Sequence, residues 1–365
     1  MRRARVADGA GPADQVSHVL VLTPALDGAD GLSALSRLIV RAMGGPVEVW
    51  TLCGGAGDVD ATVWSAGGSR TRFVSHAVRR AAAPANGVTV IVTHLHLAPV
   101  ALLLAARGAR LVQVIVGIES WRSVRARERR ALEQADCVVA ISHDTERRFR
   151  RANPDVRLPN GIVVCHPGVP DARNDAPAPI DEGFALIVAR MWTEERYKGH
   201  DRLIEVWPAI RARVPDAALV IAGDGDDRAR LEARVATAGL SDAIRFTGRV
   251  SDGDLAQLYA SCRCLVLPSA HEGFGLVYLE AMRAAKPCVA LHGAADEIIT
   301  DGVDGVLVDT QGPGLEDALI RLLRDRAGAA RLGAAARCTV ARRFTERAFQ
   351  ERFCAAIERH LVRAS

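Results

Sequence analysis

Short apolar runs recur along the chain: HVLVLTP from His18, VEVWTLC from Val47, VTVIVTH from Val88, RLVQVIVG from Arg110, CVVAIS from Cys137 and GIVVCHPGV from Gly161. They are apolar throughout rather than alternating, the pattern of strands buried on both faces of a parallel sheet. Between them, LSALSRLIVRAM and RARERRALEQA place apolar residues three and four apart, the helix period. The first half therefore reads as repeated βα units. PDARNDAPAPIDEG, residues 170–183, has prolines, acidic residues and no apolar period, and reads as an exposed linker. After it the rhythm restarts with FALIVAR, AALVIAGDG, IRFTGRV, CLVLPS, PCVALHG and GVLVD. The expected fold class is α/β, with two Rossmann-like doubly wound domains facing a central cleft.

The expected boundaries are a disordered tail over 1–17, a first domain over 18–169, the linker, a second domain over 184–345, and a terminal helix over 346–365. That helix carries Phe349, Phe353, Ile357 and Leu361 on one face and is expected to cross to the first domain.

At 365 residues, 49% apolar and 25% charged, the chain suits a globular enzyme of two cores. A formal net charge of +4 with arginine far outnumbering lysine does not argue for nucleic acid. The eight cysteines form no CxxC pair and read as reduced core residues of a cytoplasmic protein. No apolar segment follows the basic N-terminus as a signal would, and none reaches the ~18 residues of a membrane span.

The stretch PSAHEGFGLVYLEAMRAAKPCVA concentrates the chemistry. CLVLPS reads as a strand and GLVYLEAMRAA as a helix, so HEGFG is the turn at the carboxyl end of a parallel strand, where ligands bind. Gly273 and Gly275 let the amides of the helix start approach an anion closely. Glu272 precedes the turn; Glu280, deeper in the helix, suits paired hydrogen bonds from sugar hydroxyls. The strand FALIVAR ends in Arg190, and Lys198 follows at a helix entry beside Gly199, two cations suited to a diphosphate. In the first domain Gly28 and Gly31 mark another glycine-bearing turn, either a phosphate loop or a bare turn.

Two metal-like patterns are decoys. Asp224 and Asp226 form D-x-D after a strand, where a Gly-Asp-Gly turn suffices, and Asp58 and Asp60 repeat the spacing. His94 and His96 alternate along an expected strand, which would send the rings to opposite faces.

The run from Arg190 to Lys198, the turn GRVSDGDLAQLYASC and PSAHEGFGLVYLEAMRAAKPCVA resemble the retaining glycosyltransferases of family 4, of GT-B fold. IVGIESWR and THLHLAP resemble further segments of that family. The resemblance implies that Arg190 and Lys198 hold a donor diphosphate and that Glu280 holds ribose hydroxyls. It further implies that Glu272, Gly273, Phe274, Gly275 and Leu276 hold the transferred sugar and adjacent phosphate, with Gly248, Arg249 and Val250 bordering the base. It implies no metal and no other cofactor. Val116 stands where many members carry a histidine, so that role does not carry over; His94 or His96 would occupy related space, or are packed strand-end histidines. Asp296 stands where a small residue or proline is common.

The implied partners are a nucleotide-diphosphate sugar, with a GDP-mannose type favoured, and a glycan, lipid-linked or small-molecule acceptor met by Gly28, Gly31, His94, Glu119 and Trp121. The basic segments WRSVRARERR and RRFRR suit either solvent or the inner face of a membrane. A GT-B-like nucleotide-sugar epimerase and a non-catalytic nucleotide-sugar-binding protein are the rival readings; oligomeric state is not readable.

Overall fold

The computed structural model describes residues 18–28, 30–170 and 183–362. The expected tail over 1–17 and nearly all of the linker lie outside them. The chain forms two compact units: one of residues up to Ala140 with Arg148–Cys165 and Gln350 onward, the other of Ile141–Arg147 and His166–Phe349.

In the first unit the strands are β1 (His18–Thr23), β2 (Val47–Thr51), β3 (Thr62–Ser65), β4 (Val88–Val92), β5 (Arg110–Ile115), β6 (Cys137–Ala140) and β7 (Val163–Val164). They form a parallel sheet in the order β3-β2-β1-β4-β5-β6-β7. Helices α1 (Gly31–Ala42), α2 (Arg70–Arg80), α3 (Ala98–Ala105), α4 (Ala126–Glu133) and α5 (His143–Ala152) connect them, α5 starting in the second unit. All five residues of β4 are buried, as an apolar run in a parallel sheet requires.

The second unit holds β8 (Ala185–Val188), β9 (Leu219–Ala222), β10 (Ile244–Gly248), β11 (Cys264–Leu267), β12 (Cys288–Leu291) and β13 (Gly305–Val308), parallel in the order β10-β9-β8-β11-β12-β13. Its helices are α6 (His200–Arg213), α7 (Arg228–Thr237), α8 (Asp252–Ser261), α9 (Leu276–Arg283), α10 (Gly314–Arg324) and α11 (Arg326–Arg343). The last helix, α12 (Glu346–Val362), buries Phe349, Phe353 and Ile357, and from Gln350 it belongs to the first unit, where Cys354 Sγ donates to Ala42 O at 3.4 Å.

Strand order reverses between β1 and β4 in one sheet and between β8 and β11 in the other. The loops leaving such paired strands diverge and open a crevice at their carboxyl ends. Those four loops carry Gly28, His94, Arg190 to Lys198 and Ser269 to Gly275.

Five cysteines are buried, and burial pushes the Cys137 thiol up to about 12 and Cys165 to about 11, leaving both unreactive. Cys53 and Cys338 are exposed, contrary to a core role for all eight, because one follows the end of β2 and the other lies on the outer side of α11.

Candidate active site

The β8 and β11 loops meet at the second unit's switch point. Ala270 N donates to Tyr197 O at 2.9 Å, and Gly199, at φ +88°, passes so close to Pro268 that a Cβ would lie 2.6 Å from its carbonyl oxygen. Only glycine permits both that conformation and that approach. The result brings Lys198 Nζ to 2.9 Å from Glu272 Oε2, with both side chains largely buried.

The turn Glu272–Gly275 then enters α9. Gly275 is the N-cap at φ +100° with no side-chain cap bond, so the first N–H groups of α9 have no side-chain acceptor at the cap. An added Cβ there would lie 2.4 Å from the Tyr278 ring, whose hydroxyl is fixed to Leu267 O at 2.9 Å. A helix start left open in this way, beside a lysine, suits an anion. Phe274 faces inward, 2% exposed, while Gly273 and Leu276 flank it at partly exposed positions.

Glu280 accepts the Tyr259 hydroxyl at 2.7 Å. Burial raises its carboxyl above the ordinary glutamate range, while the Tyr259 bond and Arg283 pull it back. Arg190 is paired with Glu195 through two nitrogens, Nε lying 3.1 Å from Oε2. Both cations read from the sequence therefore carry a carboxylate partner. Glu195, which sequence reasoning missed, lies five residues from Arg190 in a turn whose only signal was its charge.

His200, one residue beyond Gly199, is 3% exposed, and burial lowers its imidazole to about 4, so it adds no charge beside Lys198. Arg249 is exposed, and Val250 lines a surface depression with Thr247, Asp254 and Gln257; neither joins the bonded group around Lys198 and Glu272.

The D-x-D carboxylates turn to different partners. Asp224 Oδ1 accepts from Gly225 N at 3.0 Å, whereas Asp226 Oδ1 accepts from Thr193 N at 2.7 Å. Asp58 and Asp60 are exposed in a loop. Asp296 pairs with His292 at 3.0 Å in an exposed turn. Among the described residues one group, His143, His166 and Glu297, brings three possible metal donors within 4.8 Å of one another. The Glu297 oxygens there already accept from His166 Nε2 (2.7 Å), His143 N (2.8 Å) and Asp144 N (2.7 Å).

In the first unit, Asp30 caps α1 by accepting from Leu32 N and Ser33 N at 2.9 and 3.0 Å. A carboxylate thus occupies that helix start. A Cβ on Gly28 would strike Ser33 Oγ at 2.4 Å, whereas one on Gly31 meets nothing within 4 Å. Glu119 Oε1 accepts from Val116 N and Gly117 N at 3.0 and 3.1 Å. The alternation expected of His94 and His96 fails because β4 ends at Val92: His94 Nδ1 accepts from His96 N at 3.2 Å, and the rings converge to 4.7 Å. Burial lowers the His94 imidazole, favouring its neutral form. His96 Nε2 lies 3.1 Å from Arg122 Nη2, which donates to the buried Glu128 at 3.1 Å.

Residues 170–339 match the family described as "Glycosyl transferases group 1". The chain is 33% identical over 265 residues, 66% of its length and 69% of the relative's, to the GDP-mannose-dependent alpha-(1-6)-phosphatidylinositol monomannoside mannosyltransferase of Mycolicibacterium smegmatis. It is 35% identical over 147 residues, 40% of its length and 37% of the relative's, to the alpha-D-kanosaminyltransferase of Streptomyces kanamyceticus. Its fold matches the crystal structure of Anabaena Alr3699/HepE in complex with UDP and glucose with a TM-score of 0.77 at 20% identity, over 93% of this chain and 99% of that one. Sucrose-phosphate synthase from Thermosynechococcus elongatus matches with a TM-score of 0.74 at 24% identity, over 95% of this chain and 100% of that one. The two sheets are those of a GT-B fold.

Proposed function

Because the chain belongs to the group 1 glycosyl transferases, we propose that it is a retaining, metal-independent transferase of family 4 that moves mannose from GDP-mannose to a glycolipid or glycan hydroxyl. The observation that carries this is the Lys198–Glu272 pair at 2.9 Å beside the open start of α9, at a switch point. The sugar specificity rests on the likeness to GDP-mannose-dependent relatives.

Cleavage of the donor builds positive charge at the anomeric carbon and negative charge on the departing diphosphate. Lys198, Arg190 and the α9 amides stabilise the diphosphate, so charge neutralisation needs no ion. Arg190 and Lys198 must first exchange Glu195 and Glu272 for phosphate oxygens. Glu272, released from Lys198, then orients the sugar hydroxyls, and ionised Glu280 accepts the two ribose hydroxyls. The acceptor hydroxyl attacks from the face the diphosphate leaves and gives its proton to it; Glu272 forms no covalent bond. His94, Glu119 and the Gly28 to Gly31 turn serve the acceptor.

A panel of GDP, UDP, ADP and TDP sugars tests the donor by thermal stabilisation, since a ligand of the folded state raises the melting temperature. Stabilisation by GDP-mannose, lost in Lys198→Ala and Glu280→Ala, is expected. No response to any nucleotide sugar at millimolar concentration, or unchanged responses in both variants, would overturn the site.

A further inference from the structure

A turn flanked by two glycines has little stiffness of its own, so the orientation of Glu272 and of the α9 amides must be imposed from outside. The chain supplies two supports from distant positions. Ser142 Oγ donates to Gly273 O at 2.6 Å, and Thr145 Oγ1 donates to the same oxygen at 3.1 Å. Both side chains are fully buried. Two donors on one carbonyl fix the plane of the Gly273–Phe274 peptide, and a trans peptide so fixed has its N–H set on the opposite side. The second support holds the neighbouring ring: His166 stacks on Phe274 with centroids 5.4 Å apart and planes 16° from parallel, and Phe344 meets Phe274 edge-on at 5.9 Å.

The supports are themselves fixed. Ser142 Oγ accepts from Thr145 N at 3.0 Å, capping α5. His166 Nε2 donates to Glu297, whose carboxylate also accepts the N–H groups of His143 and Asp144. Burial alone would raise the Glu297 carboxyl, but these bonds hold it below the ordinary range and keep it an acceptor. Gly168 lets the segment after His166 lie against Thr345, where a Cβ would come within 2.2 Å of its carbonyl oxygen.

We propose that Ser142, Thr145, His166 and Glu297 are positioning residues for the donor turn, the hydroxyl pair setting the Gly273 carbonyl and the His166–Glu297 pair setting the Phe274 ring. The assignment rests on the donor reading above for its functional consequence, but its structural content stands alone.

Thr145→Val is the sharpest variant, because it deletes one hydroxyl at nearly constant shape and leaves the Thr145 N–H bonded to Ser142. Hydrogen exchange of the amides over 270–277 in the ligand-free protein should rise about tenfold, the loss of roughly one hydrogen bond, while the rest of the second sheet keeps its protection. GDP-mannose binding, followed by calorimetry, should weaken by a similar factor, and Thr145→Ser should restore both. Glu297→Gln should raise exchange at the same amides, with Phe274 freed from its stacked partner. Unchanged exchange at 270–277 in Thr145→Val, or failure of Thr145→Ser to restore it, overturns the assignment. If exchange responds as stated but no nucleotide sugar binds the parent, the donor reading fails and the positioning role stands.

Discussion

Glu280 illustrates how one side chain serves function against stability. Its carboxyl is raised by burial above the ordinary range, so the folded state holds the proton more tightly than the unfolded chain. The stability it contributes is fully present below the unfolded value and is lost as pH rises through the folded one. Once ionised, above its raised folded value, the group is therefore a net cost. Glu280→Gln, which keeps an oxygen for Tyr259, should leave the melting temperature at pH 7 equal or higher while nucleotide-sugar affinity falls at least tenfold by calorimetry. Tyr259→Phe removes an interaction that lowers the carboxyl, so the loss of donor affinity on acidification should begin at a higher pH than in the parent. Lys198→Ala should weaken donor binding by about 1.5–3 kcal/mol, the worth of a hydrogen bond to a charged group. Glu195→Gln should act oppositely: it leaves Arg190 uncompensated and should tighten binding of free GDP in a calorimetric titration at low salt. These residue types were readable; their pairing was not, since Lys198 and Glu272 lie 74 positions apart.

At the level of elements, the contrast between α1 and α9 separates two glycine-bearing turns that look alike in sequence. Asp30 fills the start of α1, whereas the cap of α9 is a glycine that bonds nothing with a side chain. Gly275→Ala should fail on two grounds, a Cβ 2.4 Å from the Tyr278 ring and a backbone in the left-handed region. Its expected signature is a lower melting temperature, read by differential scanning calorimetry, together with lost stabilisation by nucleotide sugar. Gly31→Ala, with open space around the added methyl, should change neither. The sequence reading of Gly28 and Gly31 left phosphate loop and bare turn equally open, and the steric demand at Gly28 traces to its own capping loop. The reading of His94 and His96 as strand residues failed because a run of apolar residues does not mark where pairing stops; β4 gives way at Val92 to a turn that His94 caps.

Across the whole molecule, a partly exposed ionic group gathered on the buried Asp227 braces the second unit. Arg230 bonds Asp227 at 2.6 Å and Asp201 at 2.7 Å, and Arg196 adds a second cation to Asp227. The Arg230 bonds, with Arg196, hold the Asp227 carboxyl down to about 2 against the effect of burial. Its stability contribution is present above the ordinary aspartate range and disappears as pH falls toward that value. Arg230→Met should lower the melting temperature at pH 7 and flatten its fall between pH 4 and 2 in parallel scans, because Asp227 loses the partner that made protonation costly.

Periodicity along the chain determined the repeated βα units, their division into two runs, and the glycine turn between Glu272 and Glu280, because burial on both faces of a strand and on one face of a helix is written within a few residues. Strand order was decided only in three dimensions. It sets β8 beside β11, and hence Lys198 against Glu272 with the open start of α9 beside them. Such contacts depend on which loops leave neighbouring strands, a property of the sheet as a whole that no local pattern carries.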